Sequence, residues 1–269
     1  MTAALPAEER RARMAERVRD EGILRVADAA AEFGVSEVTV RADLGRLEAA
    51  GLVRRVHGSA LPARGGPREE PLERVSARDA AAKRAIGRRA AALVDSGTSV
   101  LLDVGSTTLA VAHALVDRAE RGELDELVVV TNGLSIALAL EPAVPRITVV
   151  LTGGTLRPLQ HSLVDPGASE SLAELHVDLA ILGCNGVDDE GRITNLNLAE
   201  AQVKRAMLAA SAAHLVVAES AKLGVRHLGT IGAASPATTL VTAGAWTDAA
   251  GRCAAALASF GARVIRADT

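Results

Sequence analysis

Apolar positions repeat with a helical period at the front of this chain and in short strand-like runs behind it. Residues 6–21 carry Met14 and Val18 on one face of a helix, with Pro6 near its start and Gly22 as its stop. Ile23-Leu24 reads as a brief extended piece. Over Val26–Gly58 the pattern predicts a helix, a turn at Phe33-Gly34-Val35, a second helix and a hairpin turning near Gly58. Gly34 supplies the positive φ that ends the first helix. Ser36 is the expected N-cap of the second, Glu37 places an acid in its first turn, and Gly51 is expected to end it. Val40, Leu44 and Leu47 form its buried stripe, so Val38, Ala42 and Gly45 point outward, flanked by Thr39 and Arg46 on one side and Arg41 on the other.

A narrow outward face of small residues edged by Thr and Arg suits the major groove of double-stranded DNA. Arg54, Arg55 and His57 fall in the hairpin, where a wing would touch phosphates. The second helix alone fits equally an ordinary amphipathic helix packed on a neighbour.

Pro62, Gly65, Gly66, Pro67 and Pro71 then punctuate a linker over residues 62–75. From Ser76 the texture changes. An Ala-rich helix over Asp79–Asp95 precedes apolar runs at Ser99–Asp103, Leu127–Thr131, Ile147–Leu151, Leu179–Gly183, His214–Ala218, Thr239–Thr242 and Arg263–Ile265. Helices are expected between them, near 107–119, 133–140, 169–175, 197–211 and 246–258. Short buried strands alternating with helices predict a parallel α/β sheet. The chain therefore reads as α/β in two domains, residues 1–61 and 76–269.

Charge and composition narrow the function. The formal net charge is −3, so any DNA binding rests on where the cations stand. Residues 1–60 are neutral overall, residues 61–92 carry a net +4, and the rest −7. Two Phe, one Trp and no Tyr leave no stacking platform for single strands. Two isolated cysteines, Cys184 and Cys253, fit a reducing cytoplasm. Neither a secretory leader nor a membrane span is expected. The six His are scattered and no strand leads into a dinucleotide-binding glycine loop, so neither a metal nor a cofactor is expected.

Candidate chemistry lies at successive strand ends, where open α/β sheets bind ligands. The loops are Asp103-Val104-Gly105-Ser106-Thr107-Thr108, Thr131-Asn132-Gly133, Thr152-Gly153-Gly154-Thr155, Gly183-Cys184-Asn185-Gly186-Val187-Asp188 and Glu219-Ser220-Ala221-Lys222. Glu200 and Lys204 lie one turn apart on the helix after the fourth. Each alone is ordinary turn chemistry. Together they suit a small polyhydroxylated anion. Hydroxyls and amides would take its phosphate, Asp103, Asn185 and Asp188 its sugar hydroxyls, and Lys204 or Lys222 its charge.

The stretch VSEVTVRADLGRLEAAGLVRRVHGSA and the ordered series DVGSTT, TNG, LTGG, GCNGVD, EAQVK and ESAKLG resemble the DeoR family of bacterial transcriptional regulators, over about residues 8 to 245. The resemblance implies a winged helix-turn-helix joined to a sensor domain related in fold to ribose-5-phosphate isomerase. It implies an oligomeric repressor that answers to a phosphorylated sugar or a relative. Ser36, Glu37, Thr39, Arg41 and Asp43 match its DNA-reading helix, and Arg54, Arg55 and His57 its wing. Asp103, Gly105, Thr107, Thr108, Asn132, Gly153, Gly154, Gly186, Asp188, Glu200, Lys204 and Lys222 match its sensor pattern. The chain departs from that pattern at Ala42 (usually Arg), Ser59 (usually Gly) and Ser106 (usually Thr). It departs also at Glu219-Ser220-Ala221-Lys222 for an Asp-Ser-Ser-Lys type sequence and at Val241-Thr242-Ala243 for Ile-Thr-Asp.

Two other readings compete. One is a sugar-phosphate isomerase or transferase with an accessory DNA-binding domain, using Asp103, Asp188 and Glu200 as acid/base groups and Lys204 to stabilise an enediolate. The other is a DNA-binding scaffold with a ligand-blind back domain.

Overall fold

A computed structural model describes residues 5–21, 23–50, 52–56, 58–62, 69–165 and 167–268. Gly22, Gly51 and His57 lie outside the described residues. The chain divides into two units, Met1–Arg68 and Glu69–Thr269.

In the first unit, α1 (Ala7–Glu21) precedes a short β1 (Leu24–Arg25), α2 (Val26–Phe33) and α3 (Glu37–Ala49), followed by β2 (Val53–Val56) and β3 (Ser59–Pro62). The strands form an antiparallel sheet in the order β1-β3-β2. The core is the predicted one: Met14 and Val18 of α1 meet Val40, Leu44 and Leu47 of α3, with Leu24, Val26, Phe33 and Val53. Gly34 takes φ +65° beyond α2. Ser36 caps α3 by accepting from the Thr39 amide at 3.2 Å.

In the second unit, seven strands make one parallel sheet: β4 (Ser99–Leu102), β5 (Leu127–Thr131), β6 (Ile147–Leu151), β9 (Val177–Gly183), β12 (Ser211–Glu219), β14 (Thr238–Ala243) and β15 (Arg263–Arg266), in the order β15-β14-β12-β9-β4-β5-β6. All seven expected runs are strands of this sheet. Their residues alternate between two cores. Val100 and Leu102 of β4, Ile181 of β9 and Leu215 and Val217 of β12 face α5 (Ala80–Ala91), α6 (Ser106–Glu120) and α7 (Leu134–Leu140). Leu101, Ala180 and Leu182 face the other way, onto α8 (Gly167–Ala173) and α9 (Leu198–Ala209), and Val216, Ala218 and Leu240 onto α10 (Asp248–Ser259). Burial on both faces explains why these strands read as continuous apolar runs.

The remaining strands were not foreseen. β7 (Thr155–Arg157) and β8 (Ser162–Val164) form a hairpin, and β10 (Gly186–Val187), β11 (Arg192–Asn195) and β13 (Gly229–Ala233) a small antiparallel sheet. The expected linker also changes at its end. Leu72–Ala77 is a helix, α4, whose Leu72 is buried and donates its amide to the Leu159 carbonyl at 3.0 Å. The later part of the stretch 62–75 thus belongs to the second unit, because an apolar side chain and a backbone donor both find partners there. Among the described residues no helix is long and apolar enough to cross a membrane.

Candidate functional site

The first candidate surface is the outer face of α3. Val38, with an apolar side chain and 73% of its surface exposed, stands out on it. Ser36, Glu37, Arg41, Ala42 and Arg46 are exposed, and Thr39 is half-buried with its hydroxyl 2.9 Å from that of Ser36. Two of the cations are already engaged by acids: Arg41 donates to Glu37 at 2.6 Å, and the amide and Nε of Arg55 donate to Glu48 at 2.8 and 2.7 Å. The Arg55 pair ties the wing strand β2 to α3. It also changes the expected role of Gly45, which is half-buried. A Cβ there would lie 3.7 Å from the Arg55 guanidinium, so the wing covers this position. Arg54 is half-buried, and its Nε has no hydrogen-bond partner among the described residues.

Asp43 has a different place from the rest of the α3 motif. It is buried, accepts from Arg10 Nε at 2.7 Å and lies 3.4 Å from Arg11. Its carboxylate fixes α3 to α1 rather than facing outward.

The second candidate site lies where the order of the parallel sheet reverses. β4 leads to β5 on one side, while β9 returns to lie on its other side. This is the position at which α/β sheets open a crevice at their carboxyl ends. Asp103, just past β4, is fully buried and accepts from the Gly183 amide at the end of β9 at 3.0 Å. Lys204 of α9, also buried, donates to Asp103 Oδ2 and, at 3.0 Å, to the Gly183 carbonyl. Asp103 Oδ1 has no hydrogen-bond partner among the described residues. Burial pushes the Asp103 carboxyl up to about 6 against the pull of Lys204. Burial also pulls the Lys204 ammonium down, but Asp103 and Glu200 outweigh it and the net shift is upward.

Two further clusters adjoin. Glu200, one turn before Lys204, accepts from Ser162 at 2.7 Å and from Arg157 of β7, and its oxygen lies 3.4 Å from Asn195 Nδ2. Glu219 accepts from Thr107 at 2.9 Å and pairs with Lys83 at 3.5 Å and Lys222 at 3.7 Å. Lys83 is buried and also caps α4 through the carbonyls of Val75, at 2.8 Å, and Arg78. Burial lowers its pKa, against the raising influence of Glu219.

The other expected residues are spread around these clusters. Thr108 is buried and donates to the Gly105 carbonyl, at 2.9 Å, where Gly105 opens α6 with φ +143°; Ser106 is buried beside it. Asn132 accepts from the Val104 amide and donates to the Leu163 carbonyl, both at 3.2 Å, which joins the end of β4 to the middle of β8. Thr131 accepts from Gly133 at 3.0 Å. Gly153 has open space where a Cβ would stand, but one on Gly154 would lie 2.3 Å from the Val164 carbonyl oxygen, and one on Gly186 2.3 Å from that of Val225. Close passage of neighbouring chain requires glycine at those two places. Asn185 accepts from the Leu196 amide at 2.9 Å.

Asp188 closes its own hairpin, accepting from the amides of Glu190 and Arg192 and the Arg192 guanidinium at 2.8 to 3.0 Å. Burial alone would raise its pKa, yet these bonds hold the carboxyl below the usual range. Burial pushes the Cys184 thiol up to about 11, which leaves no thiolate near neutral pH.

Residue reading missed Arg157, Lys83, Ser162 and Asn195. A lone arginine three residues after a glycine pair, and a lysine inside an Ala-rich helix, were the only signals.

The profile described as the DeoR C terminal sensor domain matches residues 78–243, more than half of the chain, and that of the DeoR-like helix-turn-helix domain matches residues 10–63. The chain belongs to the DeoR family. It is a DNA-binding transcriptional regulator by that membership. Among its relatives, the HTH-type transcriptional regulator GlpR of Haloferax volcanii is 35% identical over 82% of this chain and 84% of its own. The glycerol-3-phosphate regulon repressor of Escherichia coli K12 is 28% identical over 82% and 84%. A ribose-5-phosphate isomerase in complex with phospho-erythronic acid is similar over 52% of each chain, with 18% identity and a TM-score of 0.39. No activity follows from a likeness of that degree.

Proposed function

We propose that this DeoR-family protein is a cytoplasmic repressor of carbohydrate-metabolism genes whose hold on its operator is set by a phosphorylated sugar or related small anion. The observation that carries the reading is the buried Asp103–Gly183–Lys204 cluster at the sheet's reversal, with Asp103 Oδ1 unpartnered among the described residues. A buried carboxylate oxygen in that state suits a ligand hydroxyl. The expected site residues divide accordingly. Asp103 and Lys204 form the centre, Thr107, Thr108, Asn132, Gly153 and Glu200 its surround, and Lys222 a cation at the margin. Asp188 is best read as a hairpin closure.

The same division bears on catalysis. Asp103 and Glu200 are held by Lys204 and Arg157, and Asp188 by Arg192. Each of the three carboxylates of the acid/base reading is thus tied to a cation, and the protein is proposed to regulate rather than catalyse. It is proposed to act as a homo-oligomer, since a pair of recognition helices reads two half-sites about one helical turn apart.

On the DNA side, Arg41 and Arg46 are proposed to read base edges, Val38 a thymine methyl, and Arg54 and Arg55 phosphates. Selection from random duplexes should yield one preferred sequence. Arg41→Ala should then weaken that site by roughly 1–3 kcal/mol and relax choice at one position, whereas Arg55→Ala should weaken all duplexes alike and flatten the salt dependence. Unchanged operator affinity in Arg41→Ala would show that another face of α3 does the reading.

A further inference from the structure

We propose that Arg157 is an anion anchor shared between the effector and the segment by which the chain enters the sensor unit, so that an anionic effector displaces Glu69. This rests on the reading of the effector as an anion.

Arg157 stands in β7 and its guanidinium joins two carboxylates, with NH1 on Glu200 and NH2 on Glu69. The two partners differ. Glu200 is buried and has Ser162 at 2.7 Å as a second donor. Glu69, among the described residues, pairs with Arg157 alone. A planar fork with one fixed and one exchangeable carboxylate is suited to accept a phosphate on its exchangeable side.

The anchor adjoins the centre of the site by two routes. Glu200 lies one helical turn before Lys204 on α9, and its charge acts on both Lys204 and Asp103. The hairpin that carries Arg157 is bound to the loop after β5. Leu163 donates its amide to the Asn132 carbonyl at 2.7 Å, and Gly133 pairs with Ser162.

Glu69 opens the second unit, directly after the residues that connect it to the DNA-binding unit. The segment behind it is held to the same hairpin. Gln160 donates to the Glu70 carbonyl at 2.5 Å, Leu72 donates to the Leu159 carbonyl at 3.0 Å, and His161 lies 3.4 Å from Glu73. Loss of the Glu69 contact therefore removes one of the ties that fix where the chain enters the sensor. An acid built into the chain occupies the cation that the ligand needs, and the two compete.

The test is inorganic phosphate binding by the full chain, measured by calorimetry, with wild type, Glu69→Gln and Glu69→Gln/Arg157→Gln. Glu69→Gln keeps the Arg157–Glu200 pair, so its folding is not at risk. It should bind phosphate about tenfold more tightly than wild type, and the double variant should lose that gain. In wild type, saturating phosphate should also speed amide exchange over residues 72–77 about tenfold. Equal phosphate affinity in wild type and Glu69→Gln, no binding in either, or binding with unchanged exchange would overturn the proposal. The regulatory reading fails separately. If Glu69→Gln gains phosphate affinity while no phosphorylated sugar moves operator affinity, the anchor stands and that reading falls. If sugars move operator affinity but Glu69→Gln gains nothing, the anchor alone falls.

Discussion

Lys204→Met is expected to destabilise the sensor unit by roughly 3–5 kcal/mol, because it removes one partner of a buried ion pair. Asp103 would keep the Gly183 amide but lose the only cation that pairs with it among the described residues, within a fully buried setting. The loss should appear as a lower urea midpoint for the unit. Joint replacement, Asp103→Leu with Lys204→Met, should recover part of it, since no charge then remains unpaired. Full wild-type stability in Lys204→Met would mean that the pair is solvated.

The same pair sets a pH dependence. Asp103 is pushed up to about 6 in the folded chain from an ordinary value of 3.8, so the folded state holds a proton that the unfolded state releases. The contribution to stability is fully present below the lower value and is lost as pH rises through the higher one. Asp103→Asn should lack this downward slope across that window, as read from urea midpoints.

Asp43→Ala should have a comparable effect on the first unit, again roughly 3–5 kcal/mol. Arg10 is 7% exposed and would keep only the Leu5 carbonyl, at 3.1 Å, as a described acceptor. A domain of this size has a total stability of about the same magnitude, so α2 and α3 should lose amide protection and DNA binding together. The outcome separates two roles. If Asp43 positions α3 through α1, protection and affinity fall in step. If affinity falls while protection is kept, Asp43 acts at the DNA surface.

What the sequence conveyed depended on how local the cause was. The central parallel strands were legible because both faces are buried, which leaves unbroken apolar runs such as Val100–Leu102 and Ala180–Leu182; the edge strand Ile147–Leu151 is apolar in sequence although most of it is exposed. The strands β7, β8, β10, β11 and β13 are only two to five residues long, too short for a period to mark them. The face of α3 was legible from Val40, Leu44 and Leu47, all buried. The closeness of Arg55 to Gly45 was not, since it depends on how β2 folds back.

At the buried site, Asp103 and Lys204 were both foreseen as candidates, but their pairing spans 101 residues of chain. Arg157 reaches Glu200 across 43 residues and Glu69 across 88. Contacts at such separations leave no spacing to read. Asp188 shows the reverse case. It stood in a promising loop, yet its partners at Glu190 and Arg192 are near neighbours that a hairpin supplies.

The central claim is that ligand capture at Asp103 and Lys204 governs the grip of the DNA-binding unit. It is tested most directly by measuring affinity for the selected operator, by fluorescence anisotropy, across a panel of phosphorylated sugars and polyols, in wild type and Asp103→Asn. The account predicts that at least one compound changes wild-type affinity by about tenfold or more and leaves Asp103→Asn unmoved. Operator affinity that stays constant across the panel, or that responds equally in both proteins, would contradict it.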